Sequence, residues 1–386
     1  MKIVAIICEY NLFHNGHLNQ INKIKEKHPD SCVIALMSGN FVQRGELAIL
    51  PKNIRAEAAC QSGADLVLEL PYPYSGGSAE YFATGAVSIL NDLIGVDELC
   101  FGSESDNLPY LQLIADRLLS NEFSNKLETV RANYKSSNLS FNIIRQNVYE
   151  ELYGEQFITK PNDILAVEYL KALKQSGSLI LPYQIMRTYD FSATRTRKYF
   201  FGNDFNLLEN EIPQTALNLF KKPPVTINNI EKYILGYFRL CDVSELSQYA
   251  DVTDGVEYLL CNSANKAVSY DDFFRMCKNK KYTDAKIRRI ILNCVLKTTE
   301  SMLKEKPLYT NVLAFDDIGR EFLSKQRKST IKIITKPADY KKYPEIVRQY
   351  EHSINADKLY TLAMDPPQSS DYFIKLSPYK KSEVEK

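Results

Sequence analysis

Several features that mark common enzyme classes are missing from this sequence. Its eight cysteines include no CxxC pair, which argues against a zinc ribbon or a thioredoxin-like redox site. Several lie inside apolar runs such as AIICEY and IILNCVL, where a reduced thiol packs as a small hydrophobe. No stretch approaches the roughly 18 consecutive apolar residues of a membrane span. The opening IVAIIC run ends at Glu9 with no small-residue cleavage site after it, so it does not read as a signal peptide. A cytoplasmic protein in a reducing compartment, with no membrane partner, is expected. Excess charge of one sign is also missing: 48 Lys and Arg against 47 Asp and Glu leave a net charge of +1. A nucleic-acid partner must therefore be met by a local basic patch. Walker A, GxGxxG and GxSxG motifs are absent, which leaves P-loop, dehydrogenase and α/β-hydrolase readings without support. There is no internal repeat and no low-complexity tract, and no protein partner is implied.

The chain does have length and pattern. Its 386 residues, 45% of them hydrophobic, suit two to three globular domains. The first 200 residues alternate strand-like and helix-like segments. KIVAIICEY, CVIALMSG, DLVLELP, DELCFGSE and LILPYQIMR read as strands. GHLNQINKIKEKH, NIRAEAACQSG, AEYFATGAVSILNDLIG, PNDILAVEYLKALKQSG and YDFSATRTRKYFF read as helices, and 107–160 as helical and polar. Such alternation specifies a doubly wound α/β domain with a parallel sheet. Ligands of such sheets sit beyond the carboxyl ends of the strands, which selects the loops 9–17, 38–46, 69–77 and 101–106. Past Gly202 helical periodicity dominates, with one later strand-like segment, STIKIITKP. We therefore expect an α/β domain over 1–205 and a mainly helical domain over 210–380, with a charged tail that frays.

Only four histidines occur, and His14 and His17 stand in NLFHNGHLNQI, around Gly16 and directly after the first strand. They read in three ways: a satisfied pair in a loop, a metal pair lacking its third ligand, or a phosphate site. In the third, a helix beginning near Gly16 aims backbone N–H groups at the strand tips. Gly16 then allows close approach and each imidazole donates a hydrogen bond. CFGSE places Gly102 and Ser103 where a nucleotide can lie on bare backbone, or forms a simple turn. Asn162 at a helix start is suited to adenine or ribose, or to capping; Arg187 is a phosphate ligand or a surface charge. RMCKNKKYTDAKIRRIILNCVLK carries eight Lys and Arg against one acid. Its Lys278, Lys280, Lys281, Lys286 and Arg289 can meet RNA phosphates, with Tyr282 for stacking, or can be a solvated helix face.

The strand–HxGH–helix order resembles the signature of the HIGH-type nucleotidyltransferase superfamily, and the expected sheet is HUP-like on that resemblance. FSATRTR resembles that superfamily's late I-S-S-T-x-I-R pattern, with Ser192, Thr194 and Arg197 in matching places. Ser and Thr suit a helix start and arginine suits pyrophosphate; a helix end with solvated arginines is the plain alternative. KMSKS is absent, against a true aminoacyl-tRNA synthetase. Beyond the superfamily, ICEYNLFHNGH, SGNFVQRGELA, ADLVLELPYPYS, ELCFGSE, PNDILAVEYL and SATRTR resemble the bacterial tRNA(Met) cytidine acetate ligases over most of 1–200. One departure is Leu12, where the family has proline; no chemical group is lost.

That resemblance implies ATP-dependent formation of acetyl-adenylate, then acetylation of the wobble cytidine of elongator tRNA(Met) to N4-acetylcytidine. It implies His14, His17 and Arg197 as catalytic residues. ATP would be bound by Ile7, Cys8, Glu9, Tyr10, Asn11, His14, Gly16, His17, Gln20, Gly102, Asn162, Arg187, Ser192 and Thr194. Mg²⁺ would arrive through the ATP phosphates, with no metal held by the protein alone. Two other readings compete. A small-molecule nucleotidyltransferase leaves the helical domain unexplained, and a silent RNA-binding protein leaves HNGH and SATRTR unexplained.

Overall fold

A computed structural model describes residues 1–133, 140–187 and 191–381. Ten strands are present among them: β1 (Ile3–Cys8), β2 (Cys32–Ser38), β3 (Phe41–Val42), β4 (Glu46–Leu47), β5 (Leu66–Leu70), β6 (Glu98–Ser103), β7 (Leu181–Met186), β8 (Tyr309–Phe315), β9 (Lys332–Ile334) and β10 (Tyr379–Lys380). The main sheet runs β10-β8-β5-β2-β1-β6-β7, with β9 also paired to β8. The five expected strands of the first half form its parallel stretch, with β5, β2, β1 and β6 at the centre and β7 at the edge. The order reverses at β1, whose neighbours are β2 on one side and β6 on the other.

Both faces of this centre are covered, which is why its strands are continuous apolar runs. Ile3, Ala5 and Ile7 of β1 join Ile34, Leu36, Leu66 and Leu68 in one core. The intervening Val4, Ile6, Val33, Ala35 and Val67 join the other. Eight helices of the first half surround the sheet: α1 (Asn15–Lys27), α2 (Lys52–Gln61), α3 (Ala79–Asp92), α4 (Leu108–Leu118), α5 (Asn121–Asn133), α6 (Phe141–Tyr153), α7 (Pro161–Gln175) and α8 (Ala193–Phe201). α3, α4 and α7 cover the first face; α1 and α2 cover the second. Leu12 is fully buried in the second core. Within the segments expected to be helical, residues 134–139 and 189–190 lie outside the described residues, as do the last five of the tail.

Four strands were absent from the sequence reading, the two-residue β3, β4 and β10 and the longer β8. The 329–337 segment contributes only the three residues of β9, whereas β8 spans seven and pairs antiparallel with β5. YTNVLAF carries Asn311 as its third residue, and only tertiary structure accounts for it. Asn311 donates through Nδ2 to Glu69 Oε2 at 2.7 Å and accepts from the Tyr350 hydroxyl at 2.9 Å. The later chain is thus helical for the most part, and it also extends the main sheet. Its helices, among them 231–240, 256–266, 284–295 and 347–363, enclose a core that takes in Phe41, Val42, Leu47 and Tyr72.

A buried charge cluster joins the two parts. Lys52 Nζ lies 2.7 Å from Glu69 Oε1 and 2.7 Å from Asp357 Oδ2. Asn40 donates to Asp357 Oδ1 at 2.7 Å and accepts from the Lys52 N–H at 2.9 Å. Removing one member of such a set leaves uncompensated buried charge. Lys52→Met is expected to lower unfolding free energy by roughly 3–5 kcal/mol, read as a drop in the urea midpoint; an unchanged midpoint would refute this role.

Candidate active site

A cavity of about 570 Å³ opens at the carboxyl ends of β1 and β6, where the strand order reverses. Open α/β sheets bind ligands at such a switch point. Residues 7–11, His14, Gly16, His17, Gln20, Gly102, Asn162, Arg187, Ser192, Thr194 and Arg197 all line it. Side chains from five separate stretches of sequence therefore converge on one space.

The wall is held from beneath by Arg55 of α2, a side chain with no exposed surface. Its guanidinium donates to Leu50 O (2.9 Å), Glu9 O (2.5 Å), Ser38 O (3.2 Å) and Gly39 O. The chain leaving β1 and the chain leaving β2 are thereby tied to one rigid fork.

The two histidines form a capping box at the start of α1. His14 is the N-cap and its Nδ1 accepts the Gly16 N–H at 3.1 Å, while the His14 N–H donates to His17 Nδ1 at 3.2 Å. The rings stack with centroids 3.7 Å apart. Because both Nδ1 atoms accept, each neutral ring carries its proton on Nε2. His14 Nε2 is buried and has no hydrogen-bond partner among the described residues. Burial, then the nearby Arg187, Arg197 and Arg195, pushes the His14 pKa down to about 3. Burial, then His14 and Arg187, holds His17 well below the usual imidazole range. Both rings are therefore neutral Nε2–H donors at pH 7.

This arrangement changes the expected role of the helix end. The Asn15 N–H bonds Glu211 O at 2.8 Å, the Gly16 N–H bonds His14 Nδ1, and the N–H groups of His17 and Leu18 bond His14 O. First-turn backbone donors are thus engaged inside the protein, and the imidazoles take their place as donors. Gly16 has a steric reason of its own. A Cβ there would lie 2.9 Å from His14 Cε1 and 3.3 Å from Phe191 Cβ, so any side chain would displace the ring.

Arg187 directly follows β7 and sits 3.8 Å from Glu104 Oε1. A Cβ at Gly102 would meet Arg187 Cγ at 3.0 Å, so glycine makes room for that arginine. Glu104 accepts from the backbone N–H groups of Asn162 and Asp163, both at 3.1 Å, and from the Asn162 side-chain amide. Asn162 therefore has part of its amide committed to Glu104, which caps α7 in place of a local side chain. Ser192 begins α8 through its backbone with no side-chain cap bond. Arg197 donates to Asn11 O at 3.1 Å and contacts Thr194 Oγ1 at 3.4 Å; Arg195 turns away to Glu211 at 2.6 Å.

The sequence reading missed the β3–β4 hairpin as a source of site residues. Gln43, Arg44 and Glu46 line the cavity, as do Phe82, Phe101 and Tyr169. The strand-tip rule had marked loop 38–46, but no spacing signal separates Gln43 or Arg44 from any surface residue. The Gln43 N–H donates to Glu9 Oε1 at 2.8 Å. Gly45, at φ +70°, packs so closely on helix 284–295 that a Cβ would lie 2.6 Å from the Arg289 nitrogen. The basic segment thus abuts the hairpin that walls the cavity, and its charges are largely paired. Lys278 meets Asp284 at 2.7 Å, Lys281 meets Asp254 at 2.9 Å, and Lys286 and Arg289 flank Asp251 at 3.6 and 3.8 Å. Lys280 is exposed and has no acidic partner among the described residues.

Comparison with known proteins agrees with this geometry. The HIGH Nucleotidyl Transferase family model matches residues 1–372. The tRNA(Met) cytidine acetate ligase of Thermoanaerobacter sp. is 34% identical, with 94% of this chain and 96% of that protein aligned. The protein of the same name from Oceanobacillus iheyensis is 34% identical, with 88% and 90% aligned. The crystal structure of Thermotoga maritima TmcAL bound with alpha-thio ATP superposes with a TM-score of 0.90 at 28% identity, covering 99% of this chain and 100% of that one. The chain belongs to the HIGH nucleotidyl transferase family and, within it, to the tRNA(Met) cytidine acetate ligases.

Proposed function

We propose that this protein activates acetate with ATP, forming acetyl-adenylate and pyrophosphate, and transfers the acetyl group to the wobble cytidine of elongator tRNA(Met). The products are N4-acetylcytidine and AMP. The observation that carries this reading is the pair of neutral Nε2–H imidazoles sharing one cavity with Arg187 and Arg197 at the sheet's switch point. Attack of a carboxylate on the α-phosphate builds negative charge on that phosphorus centre. Donors fixed before the reaction stabilise such charge without reorganising. His14 and His17 take that role, and Arg197 holds the leaving pyrophosphate. Arg187 binds phosphate or ribose, while Gly102 and Asn162 border the nucleoside.

Mg²⁺ enters as part of the MgATP substrate, coordinated by phosphate oxygens. Among the described residues no group of three or more His, Cys, Asp or Glu side chains converges as a protein-held metal site. The tRNA is assigned to the 210–380 part, with Lys278, Lys280, Lys281, Lys286 and Arg289 facing its phosphates. RNA phosphates then compete with Asp251, Asp254 and Asp284 for these cations. The ATP site is assigned to 1–205.

Three outcomes check these assignments. His17→Ala should fold normally by circular dichroism and lose acetate- and tRNA-dependent AMP formation by about a hundredfold or more; full activity would remove the role given to HNGH. In the free protein, imidazole ¹⁵N shifts should show both rings neutral and protonated on Nε2 at pH 5.5, following their lowered pKa values; a charged ring there contradicts the donor assignment. Reversing Lys278, Lys280 and Lys281 to Glu should weaken tRNA binding in a gel shift and flatten its salt dependence. Unchanged binding would place the tRNA elsewhere.

A further inference from the structure

The transfer step requires a proton acceptor, because the attacking cytidine amine must lose a proton as its bond to the acetyl carbon forms. The cavity contains few groups able to take it. His14 and His17 each use Nδ1 to accept a backbone N–H and already carry hydrogen on Nε2. Burial above all raises the pKa values of Cys8, Tyr10 and Tyr169, so these three remain protonated. Glu104 accepts the backbone N–H groups of Asn162 and Asp163 on Oε2 and the Asn162 side-chain amide on Oε1. Glu46 is paired with Arg288 at 3.2 Å.

Glu9 is the remaining carboxylate of the lining. It follows β1 directly, on the strand whose tip leads into the two histidines. It is held at both ends: Arg55 binds its carbonyl oxygen, and the Gln43 N–H binds Oε1 at 2.8 Å. Its second carboxylate oxygen accepts no hydrogen bond from the described residues. A cavity-lining carboxylate with one oxygen anchored and the other free of hydrogen bonds among the described residues suits a general base.

We propose that Glu9 is the general base of the acetyl-transfer step. Resting on the ligase reading above, the step runs as follows. The N4 nitrogen of cytidine attacks the acetyl carbonyl carbon of the adenylate and a nitrogen–carbon bond forms. The N4 proton passes to the free oxygen of Glu9. The bond from the acetyl carbon to the phosphate oxygen breaks, AMP leaves with that electron pair, and Glu9 later returns the proton to solvent. The charged and titratable groups around Glu9 are Arg44 on the hairpin, Arg55 on α2, Arg197 on α8, Tyr169 on α7 and the neighbouring Cys8. Burial raises the Glu9 pKa above the usual carboxylate range against the Gln43 N–H and these arginines, which lower it. A raised pKa strengthens the base, and Glu9 must be ionised to act. The transfer rate therefore falls as pH drops through that pKa.

Glu9→Gln keeps an oxygen for the Gln43 N–H and removes the base. Two rates are measured on the full-length protein: acetate-dependent ATP–pyrophosphate exchange, and single-turnover acetyl transfer to tRNA from preformed acetyl-adenylate. The substitution should slow transfer by about a hundredfold or more, within the usual range for general base catalysis, and slow exchange at least tenfold less. It should also abolish the acidic limb of the transfer pH profile, whereas Glu9→Asp should retain that limb at a reduced rate. Equal losses in both steps would make Glu9 a structural or adenylation residue and overturn the proposal. So would an unchanged transfer rate or a retained acidic limb in Glu9→Gln, which would leave the proton to the AMP phosphate or to water. Wild-type protein run alongside separates the two levels: absence of acetate-dependent exchange there removes the ligase reading itself, independently of any variant.

Discussion

The buried Arg55 guanidinium is the constraint on which the catalytic end of the sheet depends. A charge without exposed surface is costly to bury unless its hydrogen-bonding groups are satisfied. Here the partners are backbone carbonyls of Glu9, Ser38, Gly39 and Leu50. No carboxylate among the described residues lies within ion-pair distance of it. Four oxygens from chain segments that have just left β1 and β2, or are about to enter α2, are held around one planar group. The fork has a fixed geometry, so the strand tips cannot drift apart without orphaning several polar groups together. The HNGH turn, Glu9 and the β3–β4 hairpin all inherit their positions from it.

The hairpin then carries this order outward. Its core residues Phe41, Val42 and Leu47 belong to the helical part's apolar cluster, while its polar tip residues line the cavity. Gly45 lies against the backbone of helix 284–295, and Glu46 pairs with Arg288 of the same helix at 3.2 Å. Two parts of the chain, one bearing the cavity and one bearing the basic segment, thus share a structural element. The Lys52 cluster and β8 join them again deeper in the molecule. An enzyme that must bring an adenylate and a large RNA to one point needs such a shared wall, since reacting atoms must be held within a few tenths of an ångström.

The electrostatics of the cavity follow a division of labour. Arginines supply the positive charge of the cavity, and the histidines remain neutral because burial and those arginines both oppose their protonation. A neutral imidazole still donates a directed hydrogen bond, and the capping box selects which nitrogen does so. The same two backbone N–H groups that would otherwise be unsatisfied at the start of α1 therefore set the tautomer of the two cavity histidines.

Much of this protein was legible in the sequence. Apolar runs of five to seven residues alternating with amphipathic helices determine a parallel sheet, because short-range periodicity reports burial directly. HNGH after the first strand and SATRTR at the start of α8 pointed to residues that the fold gathers around one cavity. Tertiary structure alone decided the rest. β8 pairs with a strand some 240 positions earlier, a distance at which periodicity carries no information. Arg55, Lys52 and Gln43 look like surface residues until the chain folds around them. The basic run 275–297 looked free until Asp251 and Asp254 were brought beside it. Sequence determines which residues seek burial and which can donate or accept a proton. Only packing decides which partners they find, because a hydrogen bond or an ion pair depends on distances of about 3 Å between residues the chain order leaves far apart.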